Sequence, residues 1–170
     1  FNNDFKSENF FPIPEPLIQK NFSRVMSLRD GTKKMSKSEE SSYSRINLKD
    51  SKDEIIKKIK KAKTDSSPIP EKVQDLQNRP EALNLLNIYS SVKNLKLDET
   101  LKEMAGKDFS KFKENLSEVL IDTICPIGKK IKDLNNDKTY LMKVLKDGTN
   151  RARLISEKNL NKIKEIVGFI

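Results

Sequence analysis

From residue 51 onward the apolar positions recur at helical spacing. Ile55, Ile56, Ile59 and Ala62 fall on one face, and Lys57, Lys58, Lys60, Lys61 and Lys63 on the other. Ser51 and Glu54 stand three apart in front of that stripe, the spacing of a capping box. Ser66-Ser67-Pro68-Ile69-Pro70 breaks the pattern and reads as a hinge between domains. Pro80 suits the first turn of a second helix, in which Ala82, Leu83, Leu85, Leu86, Ile88, Tyr89 and Val92 leave room for burial on more than one side. A short helix opens at Leu97-Asp98 and closes at Gly106, with Leu101 and Met104 inward. Asp108 introduces a longer one carrying Phe109, Phe112, Leu116, Val119, Leu120, Ile124, Ile127 and Ile131, which Pro126 is expected to kink or interrupt. Asp137 caps the next, with Tyr140, Leu141, Val144 and Leu145, and Gly148 weakens it. A last helix carries Leu154, Ile155, Leu160, Ile163, Ile166 and Val167 and stops at Gly168.

The first fifty residues read differently. Pro12, Pro14 and Pro16 each lack an N–H and disfavour helix before them, so residues 1–22 read as a loop or extended segment. Phe5, Phe10 and Phe11 are expected to anchor it on another surface. Ser23 to Leu28 alternates and reads as one strand, ended by the turn pair Asp30-Gly31. Lys33 to Ser42 has no apolar period and reads as a mobile surface loop. The fold expected is therefore mainly α: a helical domain preceded by one strand that needs a sheet from elsewhere.

Composition narrows the function. The chain has 170 residues, with 35% hydrophobic and 35% charged, too apolar for a disordered chain. Net charge is +9, which favours an anionic partner such as nucleic acid or a nucleotide, although lysine-rich composition alone gives the same balance. No apolar run approaches the roughly 20 residues of a membrane span, and no signal peptide is visible. With no histidine, His-based triads and His metal sites are excluded within this sequence. The single Cys125 forms no internal disulfide, fits a reducing cytoplasm and reads as a small buried hydrophobe. The chain starts at Phe1 in a run that reads as mid-protein, so a fragment is expected.

Lys33-Lys34-Met35-Ser36-Lys37-Ser38 is the run with chemistry to offer. Ammonium groups and hydroxyls on one turn suit a polyphosphate, whose developing charge they neutralise. On composition alone it reads equally as a solvated lysine loop. Its five residues Lys34 to Ser38 match the KMSKS signature of class I aminoacyl-tRNA synthetases at every position. The flanks, Phe11-Pro12-Ile13-Pro14-Glu15, Arg24 to Leu28, Thr64-Asp65-Ser66 and Asn84 to Tyr89, resemble the tryptophanyl-tRNA synthetase family, with the tyrosyl enzymes as the nearest relatives.

What the resemblance implies is specific. Residues 1–65 would be the C-terminal part of a Rossmann-like catalytic domain including the signature loop, and residues 66–170 a helical anticodon-binding domain. The reaction would be activation of tryptophan by ATP, entering with Mg2+ as its substrate complex, and transfer to tRNA(Trp) by a cytoplasmic homodimer. Lys34 and Lys37 would be catalytic, stabilising the triphosphate and the departing pyrophosphate. Val25 and Met35 would line the adenine side, and Ser36 and Ser38 would shape the loop. No protein-bound metal is expected. The family's other signature, which usually contains histidine, has no counterpart here, so the chain alone is expected to be inactive. Gly31 stands where the family often has proline, which would loosen the turn. Two basic clusters, the lysine face at 57–63 and Lys143, Lys146, Arg151 and Arg153, read either as solvated faces or as tRNA phosphate tracks. Outside this family, the same text could be a basic helical RNA-binding module or a helical interaction protein.

Overall fold

The computed structural model describes residues 1–7, 9–18 and 23–169. Among them lie five α-helices: α1 Lys52–Lys60, α2 Pro80–Lys93, α3 Leu97–Met104, α4 Phe109–Asn136 and α5 Lys138–Val167. Packing separates two units, Gln19–Lys132 and Phe1–Ile18 with Asp133–Ile170.

The first unit holds the apolar core. Leu28, Ile55, Ile59, Ala62, Ile69, Leu76, Leu85, Leu86, Leu101, Met104, Phe112 and Leu116 are all buried in one cluster. The boundary expected at residue 65 falls inside this unit. α1 and α2 begin for legible reasons, whereas no side-chain cap from Asp108 is found at α4 among the described residues. The Ser51 hydroxyl accepts from the Glu54 N–H at 3.4 Å, and the Ser51 N–H donates to Glu54 Oε2 at 2.8 Å, completing the capping box at α1. Pro80 is the first residue of α2, where its missing N–H costs nothing, and Asn94 ends that helix in the left-handed region at φ 55°. α2 buries Ala82, Asn84, Leu85, Leu86, Ile88, Tyr89 and Ser90, which is burial on more than one side. Gly106, at φ 75°, follows α3 as expected.

Four expectations change in this unit. Ser23 to Leu28 is no strand: among the described residues it makes one isolated antiparallel bridge, Met26 with Lys34. The reason is local. Only the short return arm Lys33 to Met35 forms a bridge with it among the described residues; its other edge is met by the Asn84 side chain at Met26 and by single backbone bonds from Leu28 to Ser44 and from Lys63 to Leu28. Pro126 does not interrupt α4, which runs through it with Leu120 and Ile124 packed on the preceding turns. The Ser66 to Pro70 breaker is no free hinge. Ile69 is 2% exposed; its N–H donates to the Lys107 carbonyl at 3.1 Å, and its carbonyl accepts from the Gly106 N–H at 2.9 Å. Nor is the lysine face uniform, because Lys58 is buried and ion-paired to Asp50. Cys125 is partly buried against the core.

In the second unit α5 starts at Asp137, whose carboxylate accepts from the Tyr140 N–H at 2.9 Å, and ends at Gly168 in the left-handed region. Two helices were expected across this span, and one is found. Gly148 weakens a helix without breaking it, since glycine retains helical backbone angles at a modest cost. The N-terminal phenylalanines, expected to anchor on another surface, gather on one another. Phe1 lies 5.0 Å from Phe5, 5.8 Å from Phe10 and 5.0 Å from Phe11, centroid to centroid. No described helix is long and apolar enough to cross a membrane.

Candidate functional site

The site is a two-armed loop standing on the core of the first unit. Its outgoing arm is Val25 to Leu28 and its return arm Lys33 to Met35. The Ser27 N–H donates to the Lys33 carbonyl at 2.8 Å, and the Met35 N–H donates to the Val25 carbonyl at 3.0 Å. Met26 and Lys34 are therefore the closely spaced, non-hydrogen-bonded pair of an antiparallel ladder. The backbone groups of Met26 and Leu28 point the other way, and each finds a partner. The Leu28 N–H donates to Ser44, and its carbonyl accepts from Lys63, at 2.9 and 2.8 Å. Met26 is held by the side chain of Asn84, on α2.

The tip between the arms is a local turn. The Asp30 carboxylate accepts from the Thr32 hydroxyl at 2.6 Å and from the Thr32 N–H at 3.0 Å. The Thr32 hydroxyl, its N–H and the Lys33 ammonium hold Asp30 below the usual carboxylate range. Gly31 is buried, and a Cβ there would lie 2.5 Å from both Pro80 C and Glu81 N. The looseness expected of this glycine is absent, because the first turn of α2 presses directly on it. Glu81 receives Lys63 at 2.7 Å, and that ammonium, helped by the Gly31 N–H, keeps the carboxyl below its ordinary value.

The signature begins within the return arm, at Lys34 and Met35, and continues beyond it to Ser38. Lys34 and Lys37 are exposed, and no carboxylate pairs with either among the described residues. The hydroxyls of Ser36 and Ser38 share a hydrogen bond at 2.8 Å, and the Ser38 N–H donates to Ser36 Oγ at 3.3 Å. Met35 is partly buried against the core, beside the backbone of Val25, whose side chain is exposed. Arg45 closes the far end by donating to the carbonyls of Glu39 at 2.8 Å and Ser41 at 3.3 Å. The result is a loop fixed at its base with two unneutralised ammonium groups above it. That arrangement suits a polyanion better than a carboxylate-rich surface would.

Sequence reasoning named the loop and missed what holds it. Asn84, Glu81 and Ser44 were given no role in it, and Lys63, read as part of the lysine face, instead pairs with Glu81. One signal was available: Asn84 is a polar residue between Leu83 and Leu85 in an apolar helix. A separate cavity of about 960 Å3 opens in the same unit between α1 and the start of α4, lined by Lys52, Ile56, Lys60, Asp108, Lys113 and Glu118 among others. It includes no residue of the loop. No cluster of metal-ligating side chains occurs among the described residues.

Comparison with known proteins places this geometry. The chain is 44% identical over 99% of its length to the tryptophan--tRNA ligase of Caulobacter vibrioides, covering 49% of that protein. It is 46% identical over 99% of its length to that of Rickettsia conorii, covering 50%. The chain thus spans about half the length of the curated relatives it matches. In structure it resembles the tryptophanyl-tRNA synthetase of Mycoplasma pneumoniae, with a TM-score of 0.79 at 25% identity over 98% of this chain and 51% of that one. A synthetase from Campylobacter jejuni, solved with ADP and tryptophane, shares the fold at a TM-score of 0.66. The family described as tRNA synthetases class I (W and Y) matches residues 1–124, a span that contains the whole loop, its α2 support and most of the core: the chain belongs to that family.

Proposed function

We propose that this chain is one half of a tryptophan--tRNA ligase, and that its loop handles the phosphates of ATP. The observation that carries the reading is the exposed, unpaired Lys34 and Lys37 on an anchored loop, in a chain 44% identical to such ligases along almost its whole length. In this reading the enzyme activates tryptophan with the Mg2+ complex of ATP, releases pyrophosphate, and passes the tryptophanyl group to tRNA(Trp). Lys34 and Lys37 neutralise charge that develops between the α- and β-phosphates, where a preorganised donor is worth most. Ser36 and Ser38 hold the turn, and Val25 and Met35 face the adenine. The arms Val25 to Leu28 and Lys33 to Met35 form the edge of a Rossmann-like catalytic domain. The later helices serve tRNA, and the enzyme acts as a cytoplasmic homodimer.

The test is amino-acid-dependent ATP–pyrophosphate exchange by the complete enzyme that carries this chain. Tryptophan should support exchange, and tyrosine should give none above background. Tyrosine-dependent exchange would move the protein to the other branch of its family. Exchange with neither would leave a basic helical RNA-binding module.

A further inference from the structure

Asn84 lies on α2, far from the loop in sequence, and is 3% exposed. Its side-chain oxygen accepts from the Met26 N–H at 3.0 Å. Its Nδ2 donates to the Met26 carbonyl at 2.9 Å and to the Ser27 carbonyl at 3.4 Å. The amide's orientation is settled by chemistry, because only its nitrogen can donate to two carbonyls and only its oxygen can accept from an N–H. This is the pattern a neighbouring strand would present to Met26. One side chain thus supplies the outer edge of the arm and leaves no backbone group of Met26 unpaired, as a buried segment requires.

The consequence reaches Lys34. Met26 is its cross-arm partner, held in register by the flanking bonds from Ser27 to Lys33 and from Met35 to Val25. The turn between them is pressed against Pro80 and Glu81, one turn earlier on the same helix. α2 therefore grips the loop at two points, the tip and the Met26 edge. We propose that Asn84 is a positioning residue for Lys34: by taking both backbone groups of Met26 it fixes where the first lysine of the signature stands relative to the nucleotide. This rests on the ATP role proposed above for the loop.

Two variants of the complete enzyme test it. Asn84→Asp is isosteric, keeps the acceptor for the Met26 N–H and loses the donors. Asn84→Leu fills the same buried space and loses all three bonds. Each should raise the KM for ATP in pyrophosphate exchange about tenfold, short of the roughly 100-fold that a 1 Å misplacement can cost. The KM for tryptophan should stay at its unmodified value even though the melting temperature falls, because Asn84→Asp sets a buried carboxylate against the Met26 and Ser27 carbonyls and Asn84→Leu leaves Met26 unpaired. Lys37→Ala is the reference for loss of the loop's own charge. The idea fails if a folded variant keeps the ordinary KM for ATP. It fails equally if the constants for both substrates worsen together with the melting temperature, or if neither variant folds, since either result marks Asn84 as structural only. An enzyme that exchanges, and is slowed by Lys37→Ala but not by the Asn84 variants, loses only the positioning role. An unmodified enzyme without exchange removes the proposed function and the positioning role together.

Discussion

Asp50 and Lys58 show what a single buried residue pair does at α1. Their side chains are 7% and 6% exposed, so the charges are compensated almost wholly by each other and by Asn47. Burial pushes the Asp50 carboxyl upward, but the Lys58 ammonium and the Asn47 backbone and amide N–H groups outweigh it and hold the carboxyl below its ordinary value. A lowered native value means stability that is present above the unfolded carboxylate range, about pH 4, and lost as pH falls through the native value. Lys58→Met leaves the carboxylate buried and unpaired, which costs about 3 kcal/mol at neutral pH. The deficit should shrink as pH falls and Asp50 takes up a proton, in the variant first, because there the carboxyl keeps its burial and has lost the ammonium. Melting curves of both proteins from pH 2 to 7 would show it, and a deficit independent of pH would exclude the pair as its source. Composition could not reveal this, because Lys58 sits in a run of lysines that all looked solvated.

At the scale of elements the termini were the most legible feature. Ser51 with Glu54, Pro80, Asp137 and Gly168 each mark a helix end where the backbone itself demands a special residue. Interruptions were less legible. Pro126 was expected to kink or interrupt its helix, and Gly148 to weaken a helix that a separate last one followed, yet α4 and α5 run through both. Local propensity sets a cost of about 1 kcal/mol for an interior glycine, and neighbouring turns can absorb it. Gly148 has negative φ and open space where a Cβ would go. Gly148→Ala should therefore stabilise α5 by about 0.5–1 kcal/mol, seen as a later loss of helical circular dichroism on heating. Earlier melting would mean that the glycine is needed for its shape. The expected strand failed for a related reason. Alternation identified an extended segment, but whether it pairs with a sheet depends on what lies beside it. Here the neighbour is the side chain of Asn84, on a helix that begins more than fifty residues later.

At the scale of the whole molecule the family and the loop were readable, because the signature is contiguous in the chain. Its support was not, since Asn84, Glu81, Lys63 and Ser44 meet the loop only after folding. The proposed chemistry also depends on more than these residues, because the chain spans about half of its relatives. The isolated chain is accordingly expected to give no exchange. The most direct test of the central claim is tryptophan-dependent ATP–pyrophosphate exchange by the complete enzyme with and without Lys37→Ala. Loss of one preorganised charge-stabilising donor should slow exchange by roughly 100-fold or more. A rate equal to that of the unmodified enzyme would contradict the assignment of this loop to the phosphates of ATP.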